Sequence, residues 1–249
     1  MPNTPTVKNR RLGDVVSIAG DYQLRALTEG PAVQRFWHHT KRLVIDRYLP
    51  PQRGEFVLDV GCGSGVVTSY LGLSGARVLG IDGNPAAVTF ADYRFATRNV
   101  AFRHGYVDAS FGDAEPADKV YCLELIEHLP ADQGRSLLAG IHKALKPGGR
   151  ALITTPNYRS GWPLIEWTMD TLKLAPKMRE DQHVERYHRR KLARLVRAEG
   201  FRVVRTATTC LLAPWLAGLS WKLALAVHRL ETGRWRVPGC ILVCVLEKV

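Results

Sequence analysis

A chain of 249 residues, 46% of them hydrophobic and 23% charged, has the length and apolar content for one α/β domain with additions. No stretch reaches the ~18 uninterrupted apolar residues of a membrane span. The basic N-terminus MPNTPTVKNRR has no apolar core behind it, so no secretory signal is expected and a cytosolic enzyme is the default. The net charge of +12 is uneven: residues 1–53 carry nine Lys/Arg against four Asp/Glu, residues 54–149 eight against eleven, and residues 150–249 eighteen against eight. Basic flanks around a mildly acidic middle suit an anionic partner such as a membrane surface, an acidic small molecule or a nucleic acid; the plain alternative is a basic surface that aids solubility. The five cysteines, Cys62, Cys122, Cys210, Cys240 and Cys244, form no CxxC pair and read as reduced core residues.

Residues 1–30 are polar without a sustained period, whereas Val33, Phe36, Trp37, Leu43, Val44 and Tyr48 recur at helical spacing after Pro31. Together residues 1–53 form a tail and cap helix ahead of a domain spanning 54–249. Pro50, Pro51 and Gly54 break the helix before the strand FVLDV (56–60), the turn GCGSG (61–65) and a further helix. A second strand, RVLGI (77–81), ends on Asp82, and five more strand-like runs follow at 100–104, 119–123, 150–155, 201–209 and 240–247. Helical patterns at 84–97, 132–145 and 188–199 lie between them, with Asn84 and Asp132 as N-caps and Pro147-Gly148-Gly149 as a stop. Strands alternating with helices predict an α/β, Rossmann-like, mostly parallel sheet of seven strands with helices on both faces. Segments 156–187 and 210–239 interrupt the alternation and are rich in Trp, Leu and Pro. Insertions at the carboxyl edge of such a sheet cover the ligand crevice, so both are candidate substrate caps.

Chemistry concentrates first at residues 56–82. Gly61, Gly63 and Gly65 permit a tight turn and close approach of a ligand, and the two carboxylate oxygens of Asp82 suit a pair of ribose hydroxyls. The dinucleotide fingerprint requires Gly or Ala where Val66 stands, which disfavours a nicotinamide cofactor. The G-x-G-x-G form, preceded by Asp59, resembles motif I of the class I S-adenosylmethionine (SAM)-dependent methyltransferases. That resemblance implies SAM as cofactor and S-adenosylhomocysteine (SAH) as product. It also implies a last strand that is antiparallel and inserted between the fifth and sixth. The implied cofactor site takes in Asp59, Gly61, Cys62, Gly63, Gly65, Asp82 and Gly83. Asp108, after the third strand, falls where the family places an acidic residue near the adenine amine; a helix N-cap is the other reading.

The fourth strand runs through KVYCLELIEHLP (119–130) into Glu124, Glu127 and His128. This segment and LKPGG (145–149) resemble the ubiquinone-biosynthesis O-methyltransferases, the likeness covering residues 54–155. It places Glu124 at the cofactor and His128 in a base-like position; an imidazole near pKa 6.5 accepts a proton from a phenol or alcohol. His183, in Asp181-Gln182-His183-Val184, resembles family members whose histidine points into the pocket and is the second catalytic candidate. Glu124, Glu127 and His128 stand at i, i+3 and i+4, so one helical turn puts all three on one face. A divalent ion there is an alternative to metal-free chemistry.

The run LLAPWLAGLSWKLALAVHRLE (211–231) reads as a mostly apolar helix with Lys222 and Arg229 on one face. It either covers the sheet or pairs in a homodimer, or else forms an interfacial helix or the wall of a lipid-sized pocket. Trp215, Trp221 and Trp235, with Trp162 and Trp167 from the earlier insertion, suit an apolar–water boundary. The expected function is SAM-dependent O-methylation of an apolar or anionic small molecule, a quinone precursor or other lipid, in the cytoplasm or at the inner face of a membrane. A nucleic-acid acceptor is disfavoured, because base-amine enzymes carry Asn/Asp-Pro-Pro-Tyr/Phe where Leu123-Glu124-Leu125-Ile126 stands. N- or C-methylation of a soluble metabolite and a catalytically silent SAM-binding protein are the remaining alternatives.

Overall fold

A computed structural model describes residues 19–111, 115–171, 183–233 and 238–249. Trp235, the Asp181-Gln182 pair and the tail up to residue 18 lie outside them. Two helices, Tyr22–Thr28 (α1) and Ala32–Tyr48 (α2), precede the strand Phe56–Val60 (β1). Then come Val66–Gly72 (α3), Arg77–Asp82 (β2), Pro85–Phe95 (α4), Val100–His104 (β3), Ala117–Leu123 (β4), Ala131–Ala144 (α5) and Leu145–Pro156 (β5). The remainder is Trp162–Thr171 (α6), Arg189–Ala198 (α7), Phe201–Thr209 (β6), Ala213–Leu216 (α8), Trp221–Gly233 (α9) and Ile241–Lys248 (β7).

The seven strands form one sheet in the order β3-β2-β1-β4-β5-β7-β6. Pairings among β1 to β5 are parallel, and β7 runs antiparallel between β5 and β6, as the family resemblance implied. The chain winds outward from β1 to β3 and returns to β4 on the other side of β1. That reversal opens a crevice at the carboxyl ends of β1 and β4, where ligands bind in open α/β sheets.

All five residues of β1 are buried because both faces of the sheet are covered. Strand period decides which core each side chain joins. Leu58, Val120, Cys122, Ile153 and Leu246 pack with Leu138 and Ile141 of α5 and Val196 of α7. Their alternates Val57, Tyr121, Leu152 and Val245 pack with Val44 and Ile45 of α2 and Leu71 of α3.

Local sequence explains some helix ends and not others. The Asn84 carboxamide accepts from the amides of Ala86 and Ala87, which caps α4 as predicted. Asp132 does not cap α5: Pro130 holds the N-cap position and Asp132 lies in the first turn, where its charge meets the positive end of the helix dipole. Pro147-Gly148-Gly149 does not form a separate stop either, since α5 ends at Ala144 and β5 already begins at Leu145. The predicted single helix over 211–231 is two, α8 and α9. Ser220 Oγ accepts from the Leu223 amide at 3.3 Å and starts α9 afresh. Glu231 folds back to accept from the amides of Leu211, Leu212 and Ala213, capping the approach to α8. The apolar period continues across the break, so periodicity alone misses it. No helix among the described residues is long and apolar enough to cross a membrane.

Glu231 is buried and serves three backbone donors, whereas Asn84 caps an accessible helix end. In urea unfolding, Asn84→Ala is expected to cost about 1 kcal/mol. Glu231→Ala should cost on the order of 3 kcal/mol, because it strands buried N–H groups that a charged acceptor satisfied. Equal costs for the two variants would refute this account of the 210–233 segment.

Candidate active site

The crevice holds a cavity of about 530 Å³, within the ~300–1,000 Å³ usual for small-molecule sites. Gly61, Asp82, Gly83, Tyr106, Asp108 and Leu129 are among its walls. The backbone at Gly61, Gly63 and Gly65 has φ of 76°, 50° and 77°, a region that side chains with a Cβ rarely enter. At Gly61 a Cβ would in addition lie 2.9 Å from Leu125, so the turn is built for absent side chains.

Asp82 ties this turn to β2. Its Oδ2 accepts from the Gly63 amide at 2.7 Å and its Oδ1 from the Asn84 amide at 2.8 Å. Burial pushes its carboxyl pKa up, against the pull of those two donors and of His104. Each oxygen keeps a second lone pair for a ligand hydroxyl.

Of the predicted cofactor residues, Gly61, Asp82, Gly83 and Asp108 line the cavity, whereas Asp59, Cys62, Gly63, Gly65 and Glu124 do not. Asp59 lies behind the turn, buried in β1, where the Thr68 hydroxyl donates to it at 2.7 Å. Burial raises its pKa to about 6. Cys62 is buried beside it, and burial pushes its thiol well above the usual range. Asp108 caps no described helix; its Oδ1 accepts from the Ser110 amide and hydroxyl in a local turn.

Two further residues at the turn escaped sequence reasoning. Lys41 of α2 is buried with its ammonium 3.2 Å from Glu124. It resembled one of a surface basic pair with Arg42, and nothing in the spacing links it to a strand end so far along the chain. Gln23 of α1 lies across the turn: its amide donates to Ser64 Oγ at 3.0 Å, and a Cβ at Gly63 would meet its side chain at 2.6 Å.

The predicted face of Glu124, Glu127 and His128 does not form. Glu124 leaves β4 with φ of 56° and turns to Lys41, and only Ile126–His128 make a single 3₁₀ turn. The α-helical i, i+4 rule therefore does not apply from residue 124. Burial opposes ionisation of Glu124, but the Lys41 ammonium outweighs it and holds its pKa below the usual value. Desolvation, with Lys41 adding to it, lowers the pKa of the half-buried His38 to about 4.

Instead, His183 joins Glu127 and His128. The Glu127 carbonyl accepts from the amides of Val184 and Glu185 at 2.9 and 3.0 Å, which draws this distant segment to the turn. One nitrogen or oxygen from each of Glu127, His128 and His183 then lies within 4.8 Å of the others. His183 Nδ1 is 2.7 Å from Glu166 Oε1, and the Tyr158 hydroxyl donates to the same oxygen at 2.7 Å. The His128 and His183 rings stand 5.1 Å apart, and Trp162 packs 5.8 Å from His183 with Trp37 behind it. Burial pushes Glu127 up to about 7, with His183 pulling against it. Burial also disfavours the His183 imidazolium, but Glu166 and Glu127 outweigh that and raise its pKa above the usual value.

The aromatic insertions divide. Trp162 is buried against the histidine cluster, whereas Trp167 and Trp215 are about half exposed, at 53% and 50%. Trp221 turns in against Phe36, with ring centroids 5.1 Å apart.

Residues 33–206 match the methyltransferase domain family. Over 107 residues the chain is 35% identical to the ubiquinone biosynthesis O-methyltransferase of Pseudomonas syringae pv. tomato, a match covering 42% of this chain and 45% of that protein. A Pseudomonas putida protein of the same name is 34% identical over the same length. The chain thus spans less than half the length of the curated relatives it matches. Its fold is similar to a SAM-dependent methyltransferase from Archaeoglobus fulgidus, with a TM-score of 0.60 and 19% identity over 91% of this chain and 99% of that one. It is also similar to the SAH-bound magnesium protoporphyrin IX methyltransferase of Synechocystis PCC 6803, with a TM-score of 0.60 and 15% identity over 92% and 94%. The glycine turn, Asp82 and the strand order agree with the family match: the chain belongs to the methyltransferase domain family, with the fold of the SAM-dependent enzymes.

Proposed function

We propose that this chain transfers the methyl group of SAM to a hydroxyl oxygen of an apolar small molecule, a quinone precursor or other lipid, at an anionic membrane surface. One observation carries the reading. Leu125 and Leu129 line the cofactor cavity, and the turn between them supplies Glu127 and His128 to a buried imidazole–carboxylate cluster. A proton acceptor thereby adjoins the methyl donor's site, as deprotonation of an attacking hydroxyl requires. The likeness to ubiquinone biosynthesis O-methyltransferases supports an oxygen acceptor.

The residues present fit the cofactor. The Asp82 carboxylate would take the ribose hydroxyls, and Tyr106, Asp108 and Leu129, which line the same cavity, would hold the adenine end. The glycine turn, with Asp59, Cys62 and the Glu124–Lys41 pair behind it, would hold the amino-acid end. Bound SAM supplies an electrophilic methyl on a sulfonium; the chain aligns the acceptor and excludes water.

The membrane reading rests on the outer face. Leu164, Trp167, Trp215 and Leu219 are exposed on the two insertions, and Lys222 and Arg229 belong to the same segment as the last two. Exposed aromatic and aliphatic groups beside cations suit a headgroup boundary, each Lys or Arg there adding about 1 kcal/mol on an anionic surface.

Asp82→Ala should weaken SAM binding at least tenfold by calorimetry, since each charge-assisted bond contributes about 1.5–3 kcal/mol. Unchanged affinity, or tighter binding of NADH than of SAM, would sink the cofactor assignment. On liposomes containing anionic lipid, the chain should sediment at low salt and dissociate as salt rises. Trp167→Ala plus Trp215→Ala should abolish that binding while SAM affinity holds. A dimer that buries these residues and ignores liposomes would make the enzyme one for a soluble acceptor.

A further inference from the structure

We propose that α5 sets the purine selectivity of the cofactor cavity: Ser136, Gly140 and Lys143 are positioning residues that hold the loop after β3 so that the Asp108 carboxylate meets the exocyclic amine of an adenosyl group. The inference rests on the methyltransferase reading above and names what makes one end of its cavity selective. Asp108 stands on a loop, and a loop alone gives a carboxylate many directions. Contacts with α5 remove that freedom.

The peptide of Asp108 lies directly on the helix. A Cβ at Gly140 would stand 2.4 Å from the Asp108 carbonyl oxygen and 2.7 Å from its backbone nitrogen and carbonyl carbon. Glycine weakens a helix interior, and here its missing side chain is the space that the loop fills. The following residue is bonded to the same helix through both its polar groups. The Ala109 amide donates to Ser136 Oγ at 3.0 Å, and the Lys143 ammonium donates to the Ala109 carbonyl. Ser136, Gly140 and Lys143 stand at i, i+4 and i+7, so one face of α5 makes all these contacts. The Asp108 side chain is held in turn by Ser110, whose amide and hydroxyl donate to Oδ1 at 2.8 and 2.6 Å.

The loop is also fixed from the opposite wall. The Gly105 amide donates to the Asp82 carbonyl at 3.0 Å. The Tyr106 ring lies over Gly83, where a Cβ would meet its Cε1 at 2.5 Å. Two close approaches at glycine, one on each side, therefore place Tyr106 and Asp108, and both line the cavity with Gln133, Ser136 and Leu137 of α5. A carboxylate only accepts hydrogen bonds. Held in this position it suits a purine that carries an amine and opposes one that carries a carbonyl oxygen there. A site that fixes such a polar partner discriminates more strongly than apolar contact does. Lys143 is exposed and is not among the cavity walls, so it acts on a ligand only through the loop.

Calorimetry on the full chain with SAH and S-inosylhomocysteine, which carry an amine and a carbonyl at the same purine carbon, tests the inference. Wild type should prefer SAH by about tenfold or more. Gly140→Ala drives a Cβ into the Asp108 backbone and should bring the two affinities to within about threefold, through loss of SAH binding. Asp108→Asn, which donates as well as accepts, should level them too. Lys143→Met, at an exposed position outside the cavity, should lower the preference about threefold with the unfolding temperature close to that of wild type. If Gly140→Ala fails to fold, Lys143→Met and Ser136→Ala decide the question by the same ratio. A preference unchanged in the α5 variants, or an equal loss of both ligands, overturns the inference, since a merely structural role would move the two affinities together. A wild type that binds SAH without preferring it to S-inosylhomocysteine overturns this inference and leaves the cofactor reading standing. A wild type that binds neither overturns both.

Discussion

The carboxylate at the tip of β2 holds the site together. Asp82 accepts one hydrogen bond from the glycine turn that leaves β1 and another from the amide that opens α4. It thereby locks two crossovers of the parallel sheet to each other at the point where both face the crevice. A turn built of residues with positive φ is conformationally permissive, and without such an anchor it would sample many shapes. The same half-buried carboxylate is then presented to the cavity, where strand β2 and the turn together define one wall. The fold and the crevice wall share this interaction.

A second set of bonds does for the histidine cluster what Asp82 does for the glycine turn. The 3₁₀ turn after β4 is too short to gather three ligating side chains by itself. It offers a backbone carbonyl, and the segment at 183–187 docks on it. Docking brings in an imidazole that meets a carboxylate from α6 and a hydroxyl from the end of β5. Low dielectric strengthens each of these contacts, and it also makes any unpartnered charge costly. Glu127, buried and pushed up to about 7, lies at that balance point and can hold or release a proton near neutrality.

The two halves of the site are covered differently. α1 lies over the glycine turn through Gln23, and Lys41 from α2 reaches the end of β4 to meet Glu124. Over the histidine cluster, Trp162 of α6 and Trp37 of α2 stack inward while Trp167 of α6 and Trp215 of α8 remain outside. α6 alone thus contributes to an inner wall through Trp162 and to an outer apolar face through Trp167. That division follows from helical periodicity once α6 is placed against the cluster.

Composition and spacing were enough for the sheet, its seven strands, the glycine turn and Asp82, because these rest on local rules: period-two burial, glycine at positive φ, an acidic strand end. The antiparallel place of β7 was legible only through family likeness. The helix break at 217–220 was not, since Ser220 and Glu231 cap across an apolar pattern that runs on unbroken. Lys41, Gln23, Glu166 and Tyr158 gave no local signal at all. Their roles are set by contacts between elements far apart in the chain, and a pairwise distance of that kind exists only after the layers have packed. The sequence by itself determined where the glycine turn would lie. Tertiary structure decided which carboxylate faces which histidine, because that depends on where β5, α6 and the 183–187 segment converge on the end of β4.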